Sequence, residues 1–154
     1  MEDFITGLVT LVSDPTALAV FVLALVGGLI FGALPGLNGV VLASVLLPFT
    51  AFMSPQNAIM LMAVIYVSSV YGGAVTAILF NIPGSPENAP TAVDGYPMTP
   101  QGQAGRAIGA AVICSAVGGS ASAILMMTAT APLAGWAVSA FGPPEIFALI
   151  VFGL

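Results

Sequence analysis

Apolar residues run along this chain in long uninterrupted blocks, and polar residues gather at the joints between them. Neither the strict alternation of a half-buried strand nor the one-sided stripe of a soluble helix accounts for blocks of that length. The pattern predicts helices surrounded by lipid over 16–34, 38–53, 57–80, 107–130, 131–141 and 145–154. Between them, 81–102 carries Pro83, Pro86, Pro90, Pro97 and Pro100, and reads as a structured connection or re-entrant hairpin. Asp14-Pro15 and Ser54-Pro55 each join a capping side chain to a residue suited to the first helical turn, and mark two starts. Ser85-Pro86 has the same signature for a shorter helix, Asp94-Gly95-Tyr96-Pro97 reads as a turn, and Gly142-Pro143-Pro144-Glu145 opens the last segment. Pro132 is expected to interrupt the short 131–141 piece.

Composition sharpens this into a class. The 154 residues are 59% hydrophobic and 5% charged, with a formal net charge of −5. A soluble domain carries about 25% charged residues. No charge lies between Asp14 and Glu87, nor between Arg106 and Glu145. The fold class is therefore all-α integral membrane: a polytopic helical bundle with broken or re-entrant helices, lodged in the lipid bilayer. One cation, Arg106, cannot neutralise a run of phosphates, which excludes nucleic acid as a partner. With no His, one Cys and no carboxylate inside a long apolar block, no metal ligand set or catalytic constellation is expected, and an enzyme is not.

Chemistry is then left to the main chain. Gly28, Gly32 and Gly36 recur every four residues, a stripe against which another helix can pack closely. The runs stop at Pro35-Gly36 and again at Pro83-Gly84, each with an amide nearby in Asn38 or Asn81. Broken helices free N–H and C=O groups, which at membrane depth normally line a cavity or a ligand site. Ser68, Ser69 and Thr76 are candidate ligands for a coupling ion, Na+ or H+, and the glycine pair Gly72-Gly73 between them is expected to unwind easily. Proline kinks and glycine stripes also serve simple helix packing, so a scaffold subunit and a passive channel stand as alternatives.

Four ordered motifs carry a resemblance: Gly32-Ala-Leu-Pro-Gly36, Tyr71-Gly-Gly-Ala-Val-Thr-Ala-Ile-Leu-Phe-Asn-Ile-Pro-Gly84, Thr91-Ala-Val-Asp-Gly-Tyr-Pro-Met98 and Gly142-Pro-Pro-Glu-Ile-Phe-Ala-Leu149. Together they resemble the large membrane subunit of tripartite tricarboxylate transporters, the TctA-like family. The resemblance implies a cation-coupled secondary transporter of the bacterial inner membrane that imports tricarboxylates or related carboxylates. It further implies two partners, a periplasmic or extracellular solute-binding protein and a small membrane subunit. Members of the family are longer and built from two related halves, so the chain is expected to be the N-terminal part of a large subunit that needs its remaining part. It departs from many relatives at Ala74, where Ser is frequent, and at Asn38-Gly39, where Gly-Pro is common. The expected carboxylate wall comprises Pro35, Gly36, Asn38, Gly39, Tyr71, Gly72, Gly73, Thr76, Asn81, Pro83 and Gly84, with no organic cofactor.

Overall fold

The computed structural model describes residues 2–153, and its regular elements among these residues are all helical. Leu154, the end of the last expected segment, lies outside the described residues. In order come α1 (Glu2–Ser13), α2 (Pro15–Ala33), α3 (Gly39–Thr50), α4 (Pro55–Phe80), a 3-10 turn at Pro86–Asn88, α5 (Ala89–Gly95), a second such turn at Tyr96–Met98, α6 (Ala104–Ala140) and α7 (Pro143–Gly153). Among the described residues, three helical stretches are long and apolar enough to cross a membrane: Pro15–Ala33, Pro55–Phe80 and Ala104–Thr130. The chain divides into two units, Met1–Ala111 and Val112–Leu154, with the boundary inside α6.

Local chemistry sets the helix ends. The Asp14 carboxylate accepts the Thr16 N–H at 2.9 Å, Asn38 Oδ1 accepts the Val41 N–H at 3.0 Å and Ser54 Oγ accepts the Asn57 N–H at 3.3 Å. Each satisfies one of the N–H groups that a helix start leaves unpaired. At the start of α7 the Gly142 N–H donates to Glu145 Oε2 at 2.9 Å, the reciprocal half of a capping box. Helix α4 ends on Asn81 in the left-handed conformation, φ 58° and ψ 28°, its N–H donating to the Ala77 carbonyl. Asn is among the few non-glycine residues that tolerate this geometry.

Within the first unit, α4 is the central element, with α2 and α3 against it. Ala24, Leu42, Leu61 and Ile65 form the buried apolar cluster, and Val20, Phe31, Leu46, Met53 and Val64 pack around it. Between α2 and α4 the contact is a seam of small residues. A methyl built on Gly28 would stand 2.8 Å from the Ile65 carbonyl oxygen, and one on Gly32 would stand 2.6 Å from Ser69 Cα and strike its carbonyl oxygen. From the other side, one on Gly72 would strike the Leu29 carbonyl oxygen. Helices in lipid gain little from apolar burial against each other, so close backbone approach of this kind is what holds them.

Several expectations need correction. Helix α1 was not foreseen, because its apolar positions follow a one-faced period instead of forming a block. Gly36 does not belong to the stripe: it lies past the end of α2 at φ +83°, where it makes the turn. Helix α4 does not unwind at Gly72-Gly73, since α2 and the stretch after α4 fill the space their missing side chains leave. Asp94 and Gly95 complete α5 instead of opening the expected turn, because Ala92 and Gly95 bury α5 against α4; only Tyr96 and Pro97 enter the 3-10 turn that follows, and the chain turns again at Gly102 with φ +72°. Pro132 does not break α6, which runs continuously through it. Proline removes one hydrogen bond from the ladder, whereas unwinding would strip several backbone groups of partners in an apolar setting. Finally, Ser85 precedes the first 3-10 turn but its hydroxyl caps no N–H; it accepts instead from the Asn88 amide at 3.0 Å.

Candidate functional site

Both proline-glycine steps interrupt helices. At the first, the chain leaves the helical path between Ala33 and Gly39; at the second, between Phe80 and Pro86. The two interruptions meet. A methyl built on Gly84 would strike the Gly32 carbonyl oxygen and stand 2.8 Å from Gly73 Cα, so the second break lies on the end of α2 and on the glycine pair of α4. A methyl on Gly73 would strike the Asn88 amide nitrogen. Three chain segments thus touch at Gly32, Gly73 and Gly84, where a side chain would force them apart.

Beside this junction, Asn38, Gly39 and Val40 from the first break and Ser85 and Glu87 from the second line one cleft with Tyr66, Ser69 and Val70 of α4. Its volume is about 230 Å³ including its open mouth, and its floor admits little more than one water molecule. An apolar groove of about 210 Å³ along α3 and α4 adjoins it through Gly39, Val40 and Tyr66.

The electrostatics follow from the main chain. The Asn38 side chain takes up the Val41 N–H and the Asn38 carbonyl takes up the Leu42 N–H, while the N–H groups of Gly39 and Val40 have no protein partner among the described residues. With the dipole of α3 behind them, these two donors favour an anion. Ser69, 4% exposed, donates its hydroxyl proton to the Tyr66 carbonyl at 2.9 Å and keeps its oxygen as an acceptor. On the other wall Glu87 is exposed, and a hydrogen bond from the Ser85 side chain, followed by one from its own backbone N–H, holds its carboxyl below the usual carboxylate range. The Glu87 carboxylate and the N–H donors at the start of α3 thus line the same cleft.

Of the residues expected to form the site, Asn38, Gly39 and Ser69 line this cleft. Gly72, Gly73 and Gly84 lie beside it in the packing junction. Tyr71 and Thr76 are half-buried on α4 outside the cleft lining, and the Thr76 hydroxyl donates back to the Gly73 carbonyl at 3.1 Å. Pro35, Gly36, Asn81 and Pro83 are exposed. Ser68 faces the seam instead, donating to Val64 at 2.6 Å and approaching the Ala24 carbonyl at 3.4 Å.

Two residues with structural weight were not foreseen. Asn88, 2% exposed, packs on Gly73 and donates to Ser85, tying the second break to α4. Thr99 donates its hydroxyl to the Ile78 carbonyl at 2.7 Å, occupying one of the carbonyls that the end of α4 leaves free. Neither has a motif; only the polarity of a short connection folded onto an apolar helix hinted at them.

Helices long and apolar enough to cross a membrane, interrupted at two proline-glycine steps beside a small polar cleft, define a multi-pass helical membrane protein. The family model for the tripartite tricarboxylate transporter TctA family matches residues 18–154, and the chain belongs to that family. It is 43% identical over 134 residues to a protein of Agrobacterium vitis described as an uncharacterized 52.8 kDa protein in the TAR-I ttuC' 3' region. That alignment covers 87% of this chain and 26% of the relative, so the chain spans about a quarter of that relative's length. No solved structure matches.

Proposed function

We propose that the chain forms one wall of the substrate site in the large membrane subunit of a carboxylate importer. The observation that carries this reading is the convergence of the two broken helices on one cleft, where the N–H groups of Gly39 and Val40 stand beside Asn38, Ser69 and Ser85. These groups hold one carboxylate of a di- or tricarboxylate, and the remaining part of the large subunit supplies the opposite wall and the rest of the ligands. Glu87 makes the uptake cation-coupled: its charge opposes that of the substrate, so Na+ or H+ must enter with it. Substrate reaches the site from a periplasmic solute-binding protein, and a small membrane subunit completes the assembly in the bacterial inner membrane. The broken helices favour this reading over a scaffold, whose glycine seams need no cleft with unpaired donors.

The test is Asn38→Asp in the full-length subunit, assayed by uptake of radiolabelled citrate or a related carboxylate below saturation. Asp is as good a helix cap as Asn, so α3 stays in place while a negative charge enters the cleft. Uptake is expected to fall at least tenfold, on the order of 1.4 kcal/mol or more, with Asn38→Ser close to the parent. Equal uptake by Asn38→Asp and parent would remove the cleft from the substrate path.

A further inference from the structure

Helix α1 differs in kind from the helices that follow it. Ile5, Leu8, Val9 and Val12 recur at the i, i+3, i+4, i+7 spacing of a single helical face and are 57%, 49%, 58% and 73% exposed. Thr6, Thr10 and Ser13 stand between them, and Glu2 and Asp3 open the helix. Its twelve residues reach about 18 Å, against about 30 Å of hydrocarbon in a bilayer. It cannot cross.

Nor does it extend α2. Asp14, the single residue between the two helices, is extended at φ −97° and ψ 110°, so the helix axes part there, and the next residue begins a membrane-spanning segment. The exposed apolar side of α2, with Leu18, Val22 and Leu25, starts one turn beyond this joint. A face of four exposed aliphatic side chains, tied by one residue to the end of a spanning helix, has the acyl-chain boundary within reach.

We propose that α1 lies in the plane of the membrane interface, with Ile5, Leu8, Val9 and Val12 in the acyl region and Thr6, Thr10 and Ser13 toward water. Interfacial helices commonly carry Lys and Arg and are drawn to anionic lipid. This helix has no basic residue and two acidic ones, so apolar burial alone holds it, and its partner is the zwitterionic or neutral bilayer surface.

The test uses the full-length subunit in phosphatidylcholine vesicles, with Cys114 and any cysteine of the remaining part replaced by alanine and single cysteines carrying a nitroxide label at 6, 8, 9, 10, 12 and 13. Collision with oxygen, which concentrates in lipid, is compared with collision with a water-soluble nickel chelate. The oxygen-to-nickel ratio is expected to be at least about threefold higher at 8, 9 and 12 than at 6, 10 and 13, corresponding to labels about 5–10 Å below the headgroups. The contrast should be unchanged when a third of the lipid is replaced by phosphatidylglycerol. Equal ratios on both faces would overturn the proposal, as would exclusion of both reagents at 8, 9 and 12, which would mean that protein covers the stripe. A contrast that appears only with anionic lipid would overturn the choice of partner.

Discussion

The glycines of the seam between α2 and α4 and those of α6 have the same sequence signature and opposite surroundings. Gly28, Gly32, Gly72, Gly73 and Gly84 each stand where an added methyl would strike or press on a neighbouring segment. Gly105, Gly109, Gly118, Gly119 and Gly135 have open space where the methyl would go. Small residues four apart permit a close approach; they do not create one. What distinguishes the seam is that serines of α4 and carbonyls on both helices occupy the room the glycines leave, and that the second break folds back to fill the end.

The largest effect is expected where backbone, rather than a side-chain tip, is in the way. Gly32→Ala drives a methyl into the Ser69 main chain, and Gly84→Ala drives one into the Gly32 carbonyl. Neither neighbour can rotate aside, so the α2–α4 contact must open. Each substitution should cost about 3 kcal/mol or more, read as loss of a monodisperse peak and a lowered unfolding midpoint in detergent. A parent-like midpoint for both would mean that the seam is looser than the structure has it.

Next is the amide that locks the break onto the seam. Asn88→Leu keeps the branching of the side chain but enlarges it, removes the donor to Ser85 and sets apolar methyls against Gly73, which has no room for them. A loss of about 2 kcal/mol is expected. Ser85→Ala should cost less, and the double variant should show a coupling of about 0.5–1.5 kcal/mol. Additive losses would indicate that the hydrogen bond does no stabilising work and that Asn88 matters only by its fit.

How much of this was open to the sequence depends on the range of the interaction. Asp14-Pro15 and Ser54-Pro55 announced their helices because a cap acts within three residues, and both Pro-Gly steps announced breaks because proline and glycine constrain their own backbone. The expected weakness at Gly72-Gly73 failed because it counted propensity and not the partner that packs there. Asp94-Gly95 misled for the same reason: turn-forming residues adopt a helix once burial of Ala92 and Gly95 against α4 repays it. Within the site, the break residues Asn38 and Gly39 were legible, while Ser85 and Glu87 belong to the cleft only because the second break returns to the first, and no local pattern encodes that return.

A smaller effect is expected at Thr99, which connects the other end of the returning segment to α4. Thr99→Val is nearly isosteric, so it removes the hydroxyl donor and leaves the Ile78 carbonyl without it. A loss of about 1 kcal/mol is expected, seen as a lower unfolding midpoint. If Thr99→Val were neutral, a water molecule or lipid headgroup would have to replace the hydroxyl, and the connection would be held by α5 packing alone.

The smallest effect should come from the open glycines, and its sign decides whether the contrast between the two sets of glycines is intrinsic to the chain. Gly118 lies inside α6 with nothing near its hypothetical methyl. Alanine there relieves the entropic penalty of a helical glycine and meets no obstacle, so Gly118→Ala should be neutral or stabilising by up to about 1 kcal/mol. The same holds for Gly119→Ala. If the full-length subunit behaves otherwise and loses stability with either change, these positions form a second seam, closed by a helix from the remaining part of the protein. The four-residue small spacing at Gly105 and Gly109 offers an internal control: destabilisation at 118 and 119 with neutrality at 105 and 109 would confine that seam to the middle of α6.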